Sequence, residues 1–137
     1  MAKKIRRIEI DRGEAGSFRA AAEQFMKAAR LARDHGYGTA AGLLFVHAGI
    51  AYSDAVSIRL AGVRSTSDNH HDAVALLGET AARIKDRERA AQHLHRLIDE
   101  KSRVAYTGEI LKKPEVEALE NHAERFRAWC APILGGN

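Results

Sequence analysis

Apolar residues recur along this chain with helical spacing almost from end to end. Phe18, Ala22, Phe25, Ala29 and Ala32 follow one another at steps of four, three, four and three. Such steps keep them on one stripe of a helix, predicted from about Glu14 to Asp34. Asp11 with Glu14, or Ser17 alone, suits its start, and the Gly36-Tyr37-Gly38 stretch ends it. A second helix is predicted from about Thr39, its expected N-cap, to Leu60, with Leu43, Val46 (or His47), Ile50, Asp54 and Ile58 on one face. Its other surfaces are small: Ala40, Ala41, Ala48, Gly49, Ala51 and Ala55. Small residues on every side let neighbours approach closely, so this helix belongs at the centre. A third follows the Arg64–Asn69 loop, capped by Ser65 with Asp68 or by Ser67 alone, and buries Ala73, Leu76, Leu77, Thr80 and Ile84. A fourth runs from Asp86, a good cap, to about Tyr106 and buries Ala91, Leu94, Ile98, Lys101 (or Ser102) and Ala105. A fifth opens at Pro114 and carries Val116, Leu119, Ala123, Phe126 and Cys130. No strand pattern competes except Ile5, Ile8 and Ile10 near the start.

Connections of three to seven residues favour antiparallel neighbours. The expected fold class is all-α: an antiparallel up-and-down four-helix bundle with an additional C-terminal helix. Residues 1–13 form a basic N-terminal arm, and residues 14–134 a single helical domain. A chain of 137 residues is long enough for one core.

Composition narrows the function classes. A single cysteine, Cys130, excludes an intramolecular disulfide and a cysteine-rich zinc site. No run of 18 apolar residues points to a membrane span, and the basic start lacks the apolar stretch of a signal peptide, so a cytoplasmic protein is expected. Net charge is +4, and its surplus is local: residues 1–33 hold nine basic and four acidic side chains. Lys3, Lys4, Arg6 and Arg7 lead it. Such an arm is either a solvated tail or a contact for phosphates.

Several polar residues need an account. His47 and Asp54 are seven apart on one stripe of the most apolar helix. A carboxylate there needs a partner, and Lys101 on the fourth helix is expected to reach it. The same residues fit either a satisfied core pair or the lining of an inter-helix cleft, with Tyr106 near the end of the fourth helix. Arg64, Ser65, Ser67, His70 and His71 gather at the start of the third helix. Free N–H groups and the helix dipole there favour anions, so these side chains either cap the helix or surround a phosphate. No metal site is expected. His93 and His95 point about 200° apart on a helix, and no histidine has the helical Glu-x-x-His offset of bundle metal sites. No phosphate-binding glycine loop, dinucleotide fingerprint or serine elbow occurs, and no cofactor is expected.

The stretch from His47 through Asp54, then Gly62-Val-Arg64-Ser65, Asn69-His70-His71-Asp72, and Leu97, Lys101 and Tyr106 resembles small bacterial HEPN-domain (higher eukaryotes and prokaryotes nucleotide-binding) proteins. The likeness covers roughly residues 18–130. It implies a homodimer that binds a nucleotide, RNA or a protein partner, often a nucleotidyltransferase-type protein encoded beside it. Nuclease and toxin members carry an arginine, a short spacer and a histidine. Arg64 and His70 have that spacing, as do Arg64 and His71, Arg87 and His93, and Arg89 and His95. In a metal-independent endoribonuclease His70 would be general base for the ribose 2′-OH, and Arg64 would stabilise charge on the phosphate. The alternatives are a noncatalytic binding module and a purely structural homodimer.

Overall fold

The computed structural model describes residues 4–135. Its elements, in order, are β1 (Arg7–Glu9), a 3-10 turn (Arg12–Glu14), α1 (Ala15–Asp34), α2 (Gly38–Ala61), β2 (Val63–Ser65), α3 (His71–Thr80), α4 (Arg87–Thr107) and α5 (Lys113–Ile133). The protein is mostly helical, with five helices and one two-stranded sheet among the described residues.

α2 is the axis of the core. From Ala51 to Ile58 every residue is buried, and α2 packs on each of the other four helices. Its small residues set how close they come. A Cβ on Gly42 would stand 2.3 Å from Leu111 Cδ1, and one on Gly49 would stand 2.7 Å from Leu97 Cδ1. By length and composition α2 could cross a membrane, but 72% of its most apolar window is buried inside the molecule. Gly62, at φ 65°, ends it in the left-handed conformation that glycine adopts without strain.

α5 buries all five residues of its predicted stripe. Glu115 accepts the Lys112 N–H at 2.9 Å, and Pro114 occupies the first turn. α1 buries Ala22 and Ala29 as expected, with Met26 added and the two phenylalanines half-buried. Ion pairs lace α1 to α5: Glu23 with Arg127 at 3.3 Å, Arg30 with Glu124, and Arg33 with Glu120. Numbers rise on one helix as they fall on the other, so the two run antiparallel. Tyr52 of α2 reaches this seam, and its buried hydroxyl accepts from Arg127 Nε at 3.2 Å.

Four local expectations change. α4 buries Ala90 and Val104 rather than Ala91 and Ala105, so its inner face is turned by about one residue. α3 stops at Thr80, leaving Ile84 in the following turn. Thr39 does not cap α2; its hydroxyl accepts the Leu111 N–H at 2.9 Å and ties α2 to the α4–α5 loop. Asp86 precedes α4 at φ 63° without a side-chain capping bond.

The N-terminal arm is not a free tail along its described length. Arg7, Ile8 and Glu9 pair antiparallel with Ser65, Arg64 and Val63. Ile10 N–H donates to Gly62 O at 2.8 Å, and Thr66 N–H donates to Arg6 O at 3.1 Å. Ile5 is buried, and Arg7 meets Glu79 of α3 at 2.8 Å. The isoleucine-bearing arm therefore finds a backbone partner just past α2. That partner is the segment carrying Arg64.

Candidate functional site

The site grows from the end of α2. Asp54 is buried there, 9% exposed. Its partner is Arg64 of β2, whose Nη2 lies 3.7 Å from Asp54 Oδ2. Lys101 does not supply that charge, because its place on α4 brings it to the start of α3 instead. At 3.7 Å the guanidinium is too far for a hydrogen bond, so desolvation wins and pushes the Asp54 carboxyl up to about 6. Arg64 is held on its other side by the Phe18 ring, 4.9 Å from its Cζ. Its Nε is buried and has no acceptor among the described residues. A buried charged donor without an acceptor is costly, and it is a natural point for an anion to enter.

The loop from β2 to α3 is held by its own side chains. Ser65 Oγ accepts the Ser67 N–H at 3.2 Å. Ser67 Oγ accepts the Asn69 N–H at 3.1 Å and donates to Asp72 Oδ2 at 2.6 Å. Asn69 Oδ1 accepts the His71 N–H at 3.0 Å. Asn69, not Ser65 or Ser67, therefore satisfies the start of α3. The first helical N–H is already taken, and the helix end is not an open seat for an anion.

His70 completes the pocket. Lys101 Nζ donates to its Nε2 at 3.1 Å, which places the ring proton on Nδ1. Burial, then Lys101 with His47 and His71, holds the His70 imidazole below its ordinary range. His47 is lowered too, first by partial burial and then by Lys101. It is not a core histidine: it lies at a solvent-facing edge of α2, its ring 5.7 Å from that of Phe25. Asp54, Arg64, Ser65, Ser67 and His70 line one cavity of about 150 Å³. Five predicted site residues from α2, β2 and the β2–α3 loop thus share a wall, and Lys101 joins them through His70. Tyr106 does not join them. It is 92% exposed near the end of α4, five residues beyond Lys101 and on a different face. His71 does not line the pocket and meets Asp99 of α4 at 2.8 Å.

The other arginine–histidine pairs with the same spacing have separate duties. Arg87 donates to Gly78 O at 3.1 Å, and His93 shares a proton with His122 of α5 between Nδ1 atoms 2.9 Å apart. Burial, more than nearby cations, keeps both of these imidazoles below their ordinary range. His95 pairs with Asp99 at 3.2 Å. Sequence reasoning missed both histidine groupings. The i,i+4 spacing of His95 and Asp99 was the available signal for one. Nothing short of the packing of α4 on α5 announces the other. Cys130 is buried in the core, and burial pushes its thiol well up.

No family model, no curated protein and no solved structure matches this chain.

Proposed function

We propose that this protein is a cytoplasmic, HEPN-like up-and-down helical bundle that binds the phosphate group of a nucleotide or RNA at the Arg64–His70 pocket. The observation that carries this reading is Arg64, a cation with one buried donor unsatisfied, on the same small cavity as His70. Lys101 supplies a second cation beside it. A phosphate oxygen would take the free Arg64 donor and draw the Lys101 ammonium off His70, two charge-assisted bonds to one anion. Ser65 and Ser67 keep the loop in shape rather than meet the ligand. The HEPN resemblance extends the reading to a homodimer with a nucleotidyltransferase-type partner.

One observation favours a second reading, cleavage. His70 is held below its ordinary range and so stands unprotonated near neutrality, ready to accept a proton. Lys101 leaving its Nε2 for the phosphate would free that lone pair. His70 would then take the 2′-OH proton of an RNA while Arg64 stabilises the phosphorane charge.

Fluorescence anisotropy with a labelled single-stranded RNA tests the first reading. Arg64→Ala and Lys101→Met should each weaken binding at least tenfold, while Tyr106→Ala leaves it unchanged. Undiminished binding by both pocket variants would overturn it. The same RNA incubated in chelator tests cleavage: strand scission by the wild type and none by His70→Ala supports it, and equal scission by the two removes it.

A further inference from the structure

We propose that His71, His95 and Asp99 form a site for one first-row divalent transition-metal ion, of the zinc class, where α3 meets α4. The site shares no residue with the phosphate pocket and stands independently of that reading. His95 and Asp99 lie one turn apart on α4, so the helix presents both on one face. His71, the first residue of α3, comes in from across the helix pair. Its Nε2 is 2.8 Å from Asp99 Oδ1, and His95 Nε2 is 3.2 Å from Asp99 Oδ2. The three donor atoms all lie within 4.8 Å of one another. Ligands of a tetrahedral ion bound at about 2.0–2.2 Å stand roughly 3.3 Å apart. The two histidine–carboxylate spacings are already close to that. Only the gap between the imidazoles must close, and the two α4 side chains have room to move toward His71: Asp99 is 55% exposed and His95 53%.

The donor set selects the ion. Two imidazoles and one carboxylate suit zinc, cobalt and nickel, whereas calcium and magnesium demand oxygen. Each ring needs only to carry its proton on Nδ1 for Nε2 to face the metal, so binding requires no change in net protonation of neutral histidines. Three protein ligands leave a fourth position for solvent. His95 and Asp99 also line an open groove of about 910 Å³ between α4 and α5, shared with Glu115 and His122, so that fourth position is within reach of a small ligand. The ion would also clamp the first turn of α3 to α4, one residue from His70.

Isothermal titration of the tag-free full chain with Zn²⁺, and absorption of the same chain with Co²⁺, test the proposal. One equivalent should bind, the thermal midpoint should rise, and visible d–d bands should appear with Co²⁺. His95→Ala and Asp99→Asn should each weaken binding at least tenfold, with circular dichroism unchanged because both side chains are exposed. His122→Ala, on the same groove, should bind as the wild type does. Absence of saturable binding, binding undiminished in the His95→Ala/Asp99→Asn double variant, or loss of binding in His122→Ala would each overturn it.

Discussion

A single carboxylate decides much of the local energetics at the end of α2. Asp54 is nearly enclosed, and its guanidinium partner at 3.7 Å is too distant to offset what desolvation costs. Its folded-state pKa of about 6 stands above the ordinary 3.8. Between those values the folded chain binds more protons than the unfolded one, so this group's contribution falls as pH rises from 3.8 through 6. The whole effect amounts to about 3 kcal/mol at most. His47, His70, His93 and His122 act in the opposite sense, because their lowered pKa values remove stability as pH falls below about 6.5. Comparing Asp54→Asn with wild type cancels the histidines. Chemical denaturation at pH 4 and pH 7.5 should show the asparagine variant gaining on the wild type at the higher pH. Parallel stabilities at the two pH values would refute a raised Asp54. Its awkward position was legible in the sequence, seven residues from His47 on an apolar stripe. Its partner was not: Lys101 was expected from its place on α4, and only the turn after Gly62 brings Arg64 back over Asp54.

At the scale of elements, helix existence was written in the apolar period, and helix rotation was not. α5 repeats apolar residues with nothing competing, and all five of the expected positions are buried. α4 carries alanines at 90, 91 and 105 beside Val104, so several neighbouring stripes were nearly equivalent and packing chose among them. α2 makes the point most directly: the stripe expected through Leu43 and Ile50 is only half-buried and His47 beside it is exposed, while burial wraps the whole helix from Ala51 to Ile58. Its glycines reveal which face meets which neighbour. Gly42 sits against Leu111 and Leu119, and Gly49 against Leu94 and Leu97. Adding a methyl group to either should lower stability by about 1–3 kcal/mol, since core leucines must move. Gly16 near the start of α1 meets nothing within 4 Å. Gly16→Ala should therefore stabilise by up to about 1 kcal/mol through the unfolded chain. Thermal midpoints of the three variants check the contrast, and a Gly42→Ala as stable as the wild type would refute close packing of Leu111 and Leu119 on α2.

For the whole molecule, the small sheet matters beyond its six residues. Helical periodicity accounts for the five rods, but it says nothing of how the pocket's arginine is fixed. That depends on two segments far apart in sequence, each too short to register as a strand alone. β1 pairs with β2, placing Ile8 opposite Arg64, and the buried Ile5 and the Arg7–Glu79 ion pair fasten the arm to the body. The exposed ion pair contributes little. Ile5 burial and the backbone bonds to Gly62 and Thr66 are the stronger fastenings. The arm thus acts on Arg64 through backbone geometry, and its basic charge is incidental to that role. Removing residues 1–10 should leave the helical circular dichroism nearly intact, because α1 to α5 keep their mutual core. It should also free Val63–Ser65, raise amide exchange at Arg64 and Ser65, and weaken the proposed RNA binding in the anisotropy assay as strongly as Arg64→Ala. A milder change, Ile5→Asp, should do the same without shortening the chain. If both variants bind RNA as the wild type does while exchange at Arg64 rises, the strand pairing is dispensable and the helices alone position the pocket.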